Sequence, residues 1–246
     1  MTSVAALHRS IVEQLRAAGR RSGYRADADE KDPRYRSYGA RAADKAGVVR
    51  EHRTVIKALG PDEKLDLAKR LIESGYGEQQ DVALSVLEQL DLGPTDMDMI
   101  DGFVRRLHGW SKIDAYAGTI LKHLLERHPE AVIAKVREWN RDPDLWLRRA
   151  SVVVFTRKVA ASGRFNDVAL ELCDTLARDD EDMVRKGVGW ALKDLMRSDK
   201  PRIVAYVKEL RAAGVSSVIT NYAIRELKGA ERRDVLAVKP GRRGDD

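Results

Sequence analysis

The stretch Glu181–Met196, EDMVRKGVGWALKDLM, reads as one helix entered from Asp180, an acid suited to an N-cap or a first turn. Near its middle lies Gly187, and a small residue there lets a second helix approach closely. The same feature returns in every second predicted helix. Ala83, Ala115, Ala150, Gly187 and Ala223 follow one another at intervals of 32, 35, 37 and 36 residues. Helix pairs of this length belong to the helical solenoids, in which each pair stacks on its neighbours.

Outward from that stretch, helical periodicity covers the chain and strand alternation is missing. A first helix is predicted over Val4–Ala18, with Val4, Leu7, Ile11 and Leu15 near one face. A polar loop follows at about 20–37. A helix over Tyr38–Ala46 is then expected to stop at Gly47. Further helices are predicted over Arg50–Leu59, Pro61–Ser74, Glu78–Gln89, Met97–Leu107, Trp110–Arg127 and Glu130–Arg141. The remainder are Leu145–Val159, Phe165–Ala177, Glu181–Met196, Pro201–Ala212 and Ser217–Leu227. Pro61, Pro129 and Pro201 stand where a first-turn proline is expected, and Asp142 and Asp144 are natural caps. One repeat domain over 1–232 and a disordered tail over 233–246 are the expected organisation.

With 246 residues, 43% of them apolar, the chain can bury a full core. A net charge of +6 favours a polyanion, of which nucleic acid is the commonest. The single cysteine, Cys173, sits in an apolar stretch and reads as a small buried hydrophobe. No Cys/His group has zinc-ligand spacing. His8 and Arg9 interrupt the N-terminal apolar run too early for a signal peptide, and no run is long enough to span a bilayer. The expectation is a cytoplasmic protein with no membrane partner, and a monomer.

Aromatic residues make up only 6% of the chain, so its four tryptophans are informative. Trp139 and Trp146 have apolar neighbours at helical spacing and read as core. Trp110 lies four residues before Asp114, which puts both on one side of a helix. Asp114 is a mid-helix acid that either pairs with Arg149 or Lys112 or serves a site. Trp190 follows Gly187-Val188-Gly189, a pair of mid-helix glycines that signals close approach by a ligand or by packed backbone. Arg148 and Arg149 suit phosphate contacts, or else a solvated basic face.

These segments resemble the AlkD-type DNA alkylation repair family, alkylpurine DNA glycosylases with HEAT-like repeats. The family's Trp-x-x-x-Asp is matched by Trp110 and Asp114, its Trp-Leu-x-Arg-Ala by Trp146, Leu147, Arg149 and Ala150, and its Lys-x-x-Gly-Trp by Lys186, Gly189 and Trp190. A weaker match begins at Tyr38. The resemblance implies an all-α fold, a single-domain right-handed solenoid of HEAT-like antiparallel helix pairs with a concave basic groove. It implies a monofunctional glycosylase of base excision repair that removes N3- or N7-alkylated purines, such as 3-methyladenine and 7-methylguanine, without deep base flipping. The partner implied is duplex DNA containing those bases, with nucleoid association when bound, and neither a metal nor an organic cofactor is implied. Asp114, Trp110 and Trp190 would then be catalytic, and Arg149, Arg148, Lys186 and Tyr38 would hold DNA.

The sequence departs from the family where Ser111 and Lys112 replace an acidic residue common after the first tryptophan. Two other readings stay open: a non-catalytic HEAT-like protein binding branched or damaged DNA, and a solenoid binding a peptide through Trp110 and Trp190.

Overall fold

The computed structural model describes residues 3–25 and 32–240. Apart from an isolated bridge between Arg36 and Tyr76, the regular structure of these residues is helical. Chain contacts divide it into two units, Met1–His128 and Pro129–Asp246.

In the first unit α1 spans Val4–Ser22. Ser3 caps it by accepting the Ala6 N–H at 3.2 Å, and Gly23 ends it in the left-handed region at φ 64°. Leu7, Ile11 and Leu15 on its buried face pack toward α2 (Ala42–Ala58), α3 (Pro61–Glu73) and α4 (Gly77–Leu87). A 3₁₀ turn, Pro94–Asp96, leads into α5 (Met97–Val104). Then α6 (Trp110–Tyr116) passes through a π-helical turn, Ala117–Leu121, into α7 (Lys122–Arg127).

The second unit holds α8 (Pro129–Trp139), α9 (Leu145–Val153), α10 (Arg157–Ser162), α11 (Asn166–Thr175), α12 (Asp182–Ala212), α13 (Ser217–Ala223) and α14 (Gly229–Ala237). Non-helical dihedrals at Asp199 kink α12, two residues before Pro201, so the two helices predicted there share one long element. Within each unit the helices carrying the repeated small residues lie side by side. The Ala83 helix α4 touches the Ala115 helix α6, and the Ala150 helix α9 touches α12, which carries Gly187 and in turn packs on the Ala223 helix α13.

The core is aliphatic, and each fully buried Leu, Ile or Val contributes about 1.5–3 kcal/mol relative to exposure. Trp139 and Trp146 are 1% and 2% exposed, as their apolar neighbours predicted. Cys173 is fully buried, and burial, aided by the neighbouring Asp174 charge, pushes its thiol up to about 12.

Three segments differ from the sequence expectation. The helix predicted from Tyr38 starts only at Ala42 and runs through Gly47. The Glu78 carboxylate takes the backbone N–H groups of Tyr38, Gly39 and Ala40 at 3.1, 2.9 and 3.1 Å, which removes those residues from helical bonding. The helix predicted over Leu145–Val159 breaks after Val153 and restarts at Arg157. The tail expected from 233 is helical through Ala237: Val235 is fully buried, Asp234 pairs with Lys208 at 2.6 Å, and Arg232 donates to the Ile224 carbonyl at 2.6 Å. The last residues of that tail, 241–246, lie outside the described residues.

Candidate functional site

In the first unit, Gly109 turns the chain into α6 at φ 91°, a conformation that favours glycine, so Trp110 is the first helical residue. Trp110 is 38% exposed and Asp114, one turn on, is 9% exposed. Asp114 is thus a largely buried acid one helical turn after an exposed tryptophan. Directly after it the helix widens into the π turn, where Ala117 donates to the carbonyls of both Asp114 and Ile113. Such single π turns cluster at functional sites.

Lys112 leaves the helix about 200° from Asp114, and its ammonium meets Asp81, which also binds Lys45 at 2.5 Å. The departure from the acidic pattern is therefore absorbed by a buried lysine held between α6 and α4. Beside Trp110 opens a cleft of about 560 Å³, lined among others by Tyr24, Tyr35, Arg41, Lys45 and Glu78. Tyr38 is not among its lining residues. It stacks on Tyr76 with ring centroids 4.1 Å apart, and its hydroxyl accepts from Gln79 at 2.7 Å. Tyr24, 47% exposed, and Tyr35 are the tyrosines that line the cleft.

The second unit carries the remaining expected residues. Arg148 is clamped: its guanidinium bonds both Asp179 carboxylate oxygens at 2.6 and 3.3 Å and the carbonyls of Asp142 and Pro143 at 2.8 and 3.0 Å. This side chain ties the start of α9 to the loop before α12. Arg149 is 5% exposed, lies across Gly187, and donates to the Met183 carbonyl. Lys186 is the more accessible cation, 38% exposed at its side chain and 3.9 Å from Asp182.

Both glycines before Trp190 are filled by protein. A Cβ on Gly187 would meet the Arg149 and Val153 side chains at 3.4 Å, and one on Gly189 would meet the Tyr222 side chain at 2.7 Å and the Ile219 carbonyl at 2.9 Å. Packed backbone and side chains, not a ligand, explain them. Trp190 itself is half-buried, with its indole N–H donating to Asp194 at 2.9 Å and the Arg157 guanidinium 5.1 Å over its ring.

A model of the family described as DNA alkylation repair enzyme matches residues 13–227, most of the sequence. The chain belongs to the DNA alkylation repair enzyme family. Among solved structures, a predicted DNA alkylation repair enzyme from Enterococcus faecalis is similar at a TM-score of 0.72 and 14% identity, over 87% of this chain and 95% of that one. That likeness extends the shared fold over nearly the whole neighbour. No curated protein matches.

In this DNA alkylation repair chain the described residues include no group of three or more His, Cys, Asp or Glu placed to hold a metal ion, and no helix long and apolar enough to cross a membrane. Sequence reasoning missed Glu78, Asp81, Arg157 and Asp194. Only Asp194 had a signal, since it follows Trp190 at the same spacing by which Asp114 follows Trp110.

Proposed function

We propose that this member of the family is a DNA glycosylase, hydrolysing the N-glycosidic bond of cationic N3- and N7-alkylated purines in duplex DNA. The observation that carries the reading is Asp114, a largely buried acid one helical turn from the exposed Trp110. Alkylation makes the purine cationic, so the base departs without a general acid. When the C1′–N bond breaks, its electron pair returns to the base and neutralises it, leaving positive charge on the sugar. A fixed carboxylate stabilises that charge. It also orients the water that attacks C1′ and accepts its proton, giving free base and an abasic site. The electron-rich face of Trp110 supports the same cationic sugar.

Lys186 and the basic total of the chain favour the phosphate backbone, an attraction that weakens with salt. Trp190 is the aromatic contact to DNA in the second unit. Arg148 has no part in this reading, and Arg149 contributes by anchoring α9 on α12. The residues named supply the chemistry without a cofactor, and the protein acts as a cytoplasmic monomer.

The test is single-turnover release of 7-methylguanine and 3-methyladenine from alkylated duplex DNA, wild type beside Asp114→Asn. Release that slows about 10²–10³-fold in a folded variant supports the glycosylase and its carboxylate. DNA binding without release by the wild type supports a non-catalytic binding protein instead.

A further inference from the structure

Asp194 lies in α12 and is 1% exposed. Its Oδ2 accepts two hydrogen bonds, from the Trp190 indole N–H at 2.9 Å and from the Arg157 backbone N–H at 2.7 Å. Its Oδ1 faces the Lys193 ammonium at 2.9 Å and the Arg197 guanidinium at 3.4 Å. Lys193 is held in turn by Glu226 at 2.9 Å. Enclosed on both oxygens, this carboxylate has no room for a substrate atom.

What it does hold is unusual. Among the described residues, Arg157 is the non-glycine residue with positive φ, at 56°. That strained residue begins α10, immediately after the break in the helix expected to run through 159. Its exposed guanidinium lies over the Trp190 ring. One oxygen atom thus fixes both the rotation of the indole and the backbone that carries the cation stacked on it. Strain of this kind persists where the surroundings over-determine it, and it concentrates at working sites.

We propose that Asp194 is a positioning residue that sets the Trp190 ring, together with the Arg157 guanidinium stacked on it, in the orientation that meets DNA. This rests on the reading that Trp190 contacts DNA. Asp194→Asn keeps the shape but sets an amide N–H₂ against either the Trp190 and Arg157 donors or the Lys193 and Arg197 cations. Either choice places donor against donor.

The experiment is a double-mutant cycle of Asp194→Asn and Trp190→Phe, which removes the indole donor. Each single change is expected to slow single-turnover release by up to about 10²-fold, the scale of a misplaced contact. The double variant is expected to be no slower than the slower single, because both changes break one chain of contacts. Losses that multiply overturn the proposal. Acrylamide quenching of the same four proteins gives an answer independent of chemistry. Asp194→Asn is expected to raise quenching where Trp190 is present and leave it unchanged in the Trp190→Phe background; equal quenching in both backgrounds overturns the proposal. A wild type that binds DNA but releases no base removes the glycosylase reading alone. The cycle is then read in the dissociation constant for duplex DNA, with the same non-additivity expected.

Discussion

Trp110–Asp114 in the first unit and Trp190–Asp194 in the second are the same pair by spacing and different by environment. The first aspartate is 9% exposed, one turn after a tryptophan that is 38% exposed, and its helix loosens into a π turn from Ala117. The second is 1% exposed and sits among an indole N–H, a backbone N–H, an ammonium and a guanidinium. In the proposed reading the first carboxylate meets the reacting sugar. A sealed one acts only through what it holds, including a left-handed arginine that costs about 1–3 kcal/mol to maintain. Four-residue spacing therefore puts Trp and Asp on one helix face, and the packing around the face assigns the work.

That contrast is breakable. The largest expected effect is on folding: Asp194→Ala strands the Trp190 and Arg157 donors and leaves Lys193 to Glu226 alone, and should cost about 3–5 kcal/mol in denaturant unfolding. Asp114→Asn should leave that unfolding curve in place while slowing base release about 10²–10³-fold in single turnover. If the two variants exchange phenotypes, the assignment of the pairs is reversed. Next come the glycines beneath the second pair. Gly189→Ala drives a methyl into Tyr222 and the Ile219 carbonyl and should lower stability by about 1–3 kcal/mol. Gly187→Ala meets only ordinary contacts, so its better helix propensity should hold thermal stability level or raise it by up to about 1 kcal/mol.

The smallest effect is a pH response at the second pair. Burial lowers the Lys193 pKa, but hydrogen bonds to Asp194 and Glu226 outweigh it and raise the value above the ordinary 10.5. The stabilisation is therefore complete below 10.5 and is lost as pH climbs past the raised value. Lys193→Met should flatten the alkaline limb of a thermal-melting profile.

Helices and their pairing were legible because each carries its own period. The small residues Ala83, Ala150, Gly187 and Ala223 sit on helices that do pack on one another or on the Ala115 helix. Trp139, Trp146 and Cys173 announced their burial through apolar neighbours. What stayed hidden was decided by partners distant in sequence. Glu78 takes three backbone donors some 40 residues upstream, so the Tyr38 segment could not read as a loop from its own residues. Asp179 claims Arg148, and Asp194 claims the N–H of Arg157 where periodicity alone predicts an unbroken helix. Val235 turns a charged tail into a docked helix by burying one apolar side chain. Spacing put Trp110 and Asp114 one helical turn apart, as α6 has them, whereas Lys112 looked intrusive until Asp81 accounted for it.

The sealed thiol of Cys173 has a practical consequence. Maleimides react with thiolates, and a fully buried thiol pushed up to about 12 supplies almost none near neutral pH. Since the sequence has no second cysteine, the native protein should stay blank to such reagents. A cysteine placed at exposed Val55 or at exposed Leu236 would then take a dye alone. The chain is in effect a ready-made host for single-site fluorophores, with no background cysteine to remove first.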